Sequence, residues 1–271
     1  MKNNNYRILL LSDLKKPTES TLKSTVSLAK MIGGQIDFFH VKKPTDVVVG
    51  ENQLSAIRNI KEEQHLIRKN IQQLITPISE EFGMPISYNF TIGNVKNEIA
   101  DYIKETKPDI VVLGKRKPKR LKFIGDSITH FILTNFEGVV FIAAENNAIE
   151  PNKKVTIGLF NDVTHSFNID FAAALLANTE TTLKSFNILS KNDTGLNKTT
   201  SSIPTEAYTF EQGDNAVKNV SKYIAVNNIN LLCINRKNGV SLAESNINEA
   251  MDTLNVSLLV NREKLQLNNS L

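Results

Sequence analysis

The sequence predicts an α/β fold built as two tandem, doubly wound, five-stranded parallel-sheet domains, residues 1–148 and 149–271. Three observations predict it. Short runs that are apolar at every position, such as Ile8-Leu9-Leu10-Leu11 and Ile110-Val111-Val112-Leu113, alternate with longer stretches of helical periodicity. Runs apolar on both faces suit parallel strands covered by helices from both sides. The pattern then restarts midway and repeats itself in detail. Gly93-Asn-Val-Lys-Asn-Glu-Ile-Ala-Asp-Tyr102-Ile103, ahead of Asp109-Ile-Val-Val-Leu, is echoed by Gly213-Asp-Asn-Ala-Val-Lys-Asn-Val-Ser-Lys-Tyr223-Ile224, ahead of Asn230-Leu-Leu-Cys-Ile. The offset, 213 minus 93, is 120 residues. Solenoid periods run about 20–50 residues, so this is a duplicated domain.

In chain order, Ile8–Leu11 is the first strand and ends at Ser12-Asp13. Pro17-Thr18 opens a helix with Leu22, Val26, Leu28, Ala29 and Ile32 inward, stopped by Gly33-Gly34. Ile36–Val41 is the second strand, and Val47–Gly50 a connector. Leu54–Phe82 is a long helix, with Ile57, Ile60, Ile67, Ile71, Leu74, Ile75 and Ile78 at helical spacing and a kink expected at Pro77. Ile86–Ile92 is the third strand, Val95–Thr106 a helix with Ile99, Tyr102 and Ile103 inward, and Val139–Ala143 the last strand of the half. Ala144–Lys154 reads as a polar join between domains. The second half continues with a strand at Val155–Phe160, a helix at Phe167–Leu176, a strand at Leu183–Leu189, and a polar segment Ser190–Pro204 expected to be mobile. A short strand at Ala207–Phe210, a helix at Val217–Val226, a strand at Leu231–Ile234, a helix at Ile247–Leu254 and a strand at Val256–Val260 complete it.

Composition narrows the function. Of 271 residues 41% are hydrophobic, enough for a real core, and the net charge of +4 is too mild to point to nucleic acid by itself. The single cysteine, Cys233, lies in an apolar run, which excludes a disulfide framework. The four histidines are scattered without ligand spacing, so no metal site is expected. No segment approaches the roughly 18 apolar residues of a membrane span, and a cytoplasmic location is expected. There is no nucleophile elbow, no Walker A loop and no dinucleotide fingerprint.

The basic excess is local. After the strand ending at Gly114 come Lys115, Arg116, Lys117, Lys119, Arg120 and Lys122, then Gly125-Asp126-Ser127 opening a helix from Ile128 to Phe136. A strand, a basic glycine-punctuated loop and a helix N-terminus together suit phosphate, because the helix start offers free N–H groups and a positive dipole end. The same run also reads as a solvated surface loop, Asp13 as a strand-end cap, and Ser127 as a helix cap.

Taken in order and twice over, these pieces resemble the universal stress protein family in a tandem two-domain form. Ile8-Leu-Leu-Leu-Ser-Asp13 resembles its first strand, Ala29 to His40-Val41 its helix end and second strand, and Asp109-Ile-Val-Val-Leu-Gly114 its fourth strand. The resemblance implies a Rossmann-like fold of the adenine-nucleotide alpha hydrolase type. It implies ATP or a related nucleotide, flanked by Asp13 and Val41, with Gly114, Gly125 and Ser127 around the phosphates, to which Lys115 and Arg116 of the basic run would add charge. Three departures stand against this. Lys117 occupies the second glycine position of the loop, the loop is two residues short, and Asp126 places a negative charge at the helix start. The second half ends its fourth strand at Asn235-Arg236 with no glycine and is expected to have lost the nucleotide.

Two readings therefore stand: a non-enzymatic stress-response protein that binds a nucleotide in the first half only, and a nucleotide-independent interaction or regulatory protein of the same fold. No catalytic pair and no required cofactor are expected. Neither nucleic acid nor membrane is an expected partner. The short apolar last strands of the halves predict an intramolecular pseudo-dimer, with a homodimer left open.

Overall fold

The computed structural model describes residues 5–15, 18–44, 53–115, 128–161, 169–179, 182–189, 204–213, 215–236 and 247–262, without the side chains of 53–56, 247 and 248. The first half runs β1 (Tyr6–Ser12), α1 (Thr18–Ile32), β2 (Gly34–Lys42), α2 (Gln53–Phe82), β3 (Ile86–Ile92), α3 (Val95–Thr106), β4 (Ile110–Gly114), α4 (Ile128–Asn135) and β5 (Val139–Ala143). The second runs β6 (Ile157–Phe160), α5 (Ala172–Ala177), β7 (Leu183–Leu189), β8 (Thr205–Glu211), α6 (Ala216–Val226), β9 (Leu231–Arg236), α7 (Ile247–Thr253) and β10 (Ser257–Arg262).

The strands form one ten-stranded sheet in the order β3-β2-β1-β4-β5-β10-β9-β6-β7-β8. Within each half every pairing is parallel, and the order of the second half repeats that of the first. The halves meet at an antiparallel seam, where Leu258 pairs with Ile142, Leu259 with Phe141 and Val260 with Val140. An apolar edge strand left open would template aggregation, and the seam closes both edges at once.

Alternation along the strands sends residues to two apolar layers. Ile8, Leu10, Phe38, Phe141, Leu259 and Cys233 face the layer of α1, α2 and α5. Leu9, Phe39, Val140, Leu258 and Leu232 face the layer of α3, α4, α6 and α7. Both layers run through the two halves without interruption. Full burial of a side chain such as Phe38 or Phe141 contributes about 1.5–3 kcal/mol.

Several expectations change. The polar join 144–154 is packed in part. Ala144, Ile149 and Pro151 are buried, and Ser24 and Ser27 of α1 donate to the carbonyls of Ile149 (3.2 Å) and Glu150 (3.1 Å). Asn147 donates to the carbonyls of Ile229 (2.9 Å) and Asn255 (3.2 Å). These serines are buried on a helix because the connector supplies their acceptors, which satisfies polar groups away from water. In α2 the stripe Ile67, Ile71, Ile75 and Ile78 is buried, but Ile57 is 53% exposed. A strand rises about 3.3 Å per residue and a helix 1.5 Å, so thirty helical residues outrun the seven of β3 and leave the first turns without sheet beneath them. The helix continues through Pro77 to Phe82. Strand β8 is longer than the expected Ala207–Phe210, and α5 begins only at Ala172, after a turn at Ile169. The Val47–Gly50 connector and residues 190–203 lie outside the described residues.

Candidate functional site

A doubly wound sheet opens a crevice at the C-terminal ends of its strands where the strand order reverses. In the first half this point lies between β1 and β4. The expected site residues Asp13, Val41, Gly114 and Lys115 all fall at or next to these strand ends, whereas Arg116, Gly125 and Ser127 lie outside the described residues.

The turn after β1 is built from side-chain caps. Ser12 Oγ accepts from the Leu14 N–H (3.0 Å), and Asp13 Oδ1 accepts from the Lys15 N–H (3.2 Å). Thr18 closes the turn, its N–H bonding to the Lys15 carbonyl at 3.1 Å while its hydroxyl donates to the same oxygen and lies 3.2 Å from Ser12 Oγ. These bonds hold Leu14 at φ 59°, a left-handed conformation that costs a leucine on the order of 1–3 kcal/mol. Asp13 is half-buried and does the capping work that a strand-end aspartate does.

Sequence reasoning passed over His40. It is 4% exposed, and its Nδ1 donates to the Ser12 carbonyl (2.8 Å), tying the end of β2 to the turn after β1. Burial lowers its pKa below the usual value, with a smaller opposing effect from the Ser12 bond. The imidazole is thus neutral in the fold and donates through Nδ1, and the half-buried Val41 follows it on β2. The folded pKa lies below the unfolded one. His40 therefore contributes stability that is present above about pH 6.5 and lost as pH falls through the folded value. His40→Asn keeps a donor toward Ser12 and does not titrate. Urea midpoints of the wild type should fall more between pH 7 and 5 than those of His40→Asn, and parallel slopes would refute this.

Gly114 answers to packing. A Cβ there would lie 2.6 Å from Oγ1 of the buried Thr21 on α1. Glycine lets strand and helix approach.

Lys115 makes contacts across the sheet and between the halves. Its N–H bonds to the Ala143 carbonyl (2.8 Å), and its ammonium donates to the carbonyl of Leu254, the residue after α7 in the second half. Burial pushes this amine down to about 8. Arg236 stands at the matching place after Asn235 in the repeat, where the sequence alone shows only a strand end lacking glycine. It is 5% exposed and donates to the carbonyls of Leu133, Phe136 and Gly138, the last at 2.8 Å. Burial, aided by Arg262, pushes it down to about 10, still far above neutral pH. The one signal that could have found both is a cation at the same repeat position.

No group of three or more His, Cys, Asp or Glu among the described residues could hold a metal. No described helix is long and apolar enough to cross a membrane. A polar cleft of about 720 Å³, between the connector and α6 at the N-terminal ends of β6 and β9, is lined by none of the expected site residues.

The family model of the universal stress protein family matches residues 5–142. No curated protein sequence matches. Among solved structures, the fold is similar to a universal stress protein from Archaeoglobus fulgidus DSM 4304, at 14% identity and TM-score 0.67, covering 97% of this chain and 100% of that one. It is also similar to a functionally unknown protein from Pseudomonas aeruginosa PAO1, at 14% identity and TM-score 0.57, covering 96% and 93%. The family match rests on β1 through β5, the strands that carry the crevice, and the chain belongs to the universal stress protein family.

Proposed function

We propose that this is a non-enzymatic stress-response protein that takes ATP or a related adenine nucleotide weakly, in the first half only. The observation that carries the reading is the crevice between β1 and β4 in a chain of this family, bordered by the strained, cap-stabilised turn Ser12–Lys15. A turn already held in an uncommon conformation spends no binding energy on ordering. The residues fit a nucleotide in part. Asp13 and Val41 are half-buried at the strand ends. Lys115 is engaged by Leu254, which leaves Arg116 as the first basic residue of the loop to meet phosphate.

That engagement favours a second reading, a nucleotide-independent regulatory protein whose basic residue at this position has become a structural contact. Calorimetry with ATP up to millimolar concentration separates the two. On the first reading wild type gives a binding heat, and Arg116→Glu weakens it. A desolvated charge-assisted hydrogen bond is worth roughly 1.5–3 kcal/mol, which is about ten- to a hundredfold in affinity. Absence of heat in both proteins would leave the nucleotide-independent reading standing.

A further inference from the structure

The contacts of Lys115 and Arg236 are the same contact made twice. Ile110 pairs with Val139 in the first half, and Leu231 pairs with Ser257 in the second. Counting from those pairs, Lys115 matches Arg236 and Phe136 matches Leu254. Lys115 of the first half caps Leu254 in the second, and Arg236 of the second half caps Phe136 in the first. Each cation leaves the end of its own fourth strand, crosses the antiparallel seam and bonds to carbonyls at the end of the other half's last helix. The Phe136 and Leu254 amides are themselves matched, each bonding to the carbonyl four residues back, on Ile132 and Ala250, at 2.9 Å. An Arg262–Glu137 ion pair (3.5 Å) crosses at the same place.

We propose that Lys115 and Arg236 form a reciprocal latch that makes the last helix of each half depend on the other half, so that the two halves open and close as one unit. Helix ends leave carbonyls without intrahelical partners, and cations at the C-terminus satisfy them and complement the dipole. Here those cations come in trans from the other half. Anything that drew the Lys115 ammonium elsewhere would uncap α7. The arrangement thereby connects the end of β4 to the far half whether or not a nucleotide binds.

A crossed pattern of hydrogen exchange tests this on the full-length chain without ligand. Arg236→Met should raise exchange about ten- to a hundredfold in the peptide over residues 128–139 of the first half, and less in that over 247–257. Lys115→Met should do the reverse, raising exchange over 247–257 by a smaller factor, because it removes one donor where Arg236 supplies bonds to three carbonyls. Arg236→Lys, which keeps the charge, should fall between wild type and Arg236→Met. It serves in its place if the methionine variant does not fold. Exchange that rises only in the mutated residue's own half, or in neither, would overturn the latch.

Discussion

Leu259→Pro should leave no cooperatively folded protein. Leu259 lies mid-strand in β10, between Cys233 of β9 and Phe141 of β5, and is 1% exposed. Proline removes a ladder N–H and is tolerated in sheets only at edges or bulges. The acceptor it abandons is buried, at a cost of about 1–3 kcal/mol. The lost leucine packing adds up to about 2–5 kcal/mol, judged from leucine truncations in other cores. Together these approach the whole stability of an ordinary domain, about 5–15 kcal/mol. Because both apolar layers continue across the seam, the damage should reach both halves. Loss of the cooperative urea transition and of the wild-type elution peak is the expected result. Ala207→Lys, on the exposed edge strand β8, should change stability by no more than about 0.5 kcal/mol. A Leu259→Pro variant that unfolds near the wild-type midpoint would show that the seam does not hold the halves together.

Gly114→Ala should destabilise the protein by about 1–3 kcal/mol, and Thr21→Ala should rescue it. The added methyl would meet Thr21 Oγ1 at 2.6 Å, while the Thr21 Cβ stands at an ordinary 3.7 Å. Removing the hydroxyl therefore makes the room. Thr21 is 3% exposed, so the side chain has little space into which to turn. A double-mutant cycle on denaturant midpoints should give a favourable coupling on the order of 1 kcal/mol between the two alanines. Were Gly114 instead present to bring backbone up to phosphate, Gly114→Ala would fold normally and lose ATP affinity, and Thr21→Ala would restore nothing.

Most of the elements were legible because their signals are local. The four-residue apolar run Ile8–Leu11 and the stripe Ile67, Ile71, Ile75 and Ile78 each announce their burial within a few residues. The turn Gly93-Asn94 was legible for the same reason. Asn94 caps α3 by accepting from Lys96 (3.2 Å) and Asn97 (3.3 Å), which is local chemistry. The partial burial of the connector 144–154 was not legible, because its polar composition resembles solvent-exposed chain. Its acceptors are met by Ser24 and Ser27, more than a hundred residues earlier. Ile57 misled in the opposite direction, since periodicity marks a face without saying how far the sheet beneath it extends.

The candidate site divides along the same line. By itself the sequence determined that the chain is a duplicated α/β protein, the order of its strands and helices though not all of their bounds, and that Asp13, Val41, Gly114 and Lys115 come to strand ends on one side of the sheet. Hydrophobic period and turn chemistry act over a few residues, and both can be read from spacing. Only the tertiary structure decided that β5 and β10 pair in one continuous sheet, that His40 locks to Ser12, that Gly114 makes room for Thr21, and that Lys115 and Arg236 reach across the seam. Those contacts join residues as much as 139 positions apart. A lysine after a strand carries the same charge whether its partner is a phosphate or a carbonyl, and which of them it meets is set by the packing of the two halves.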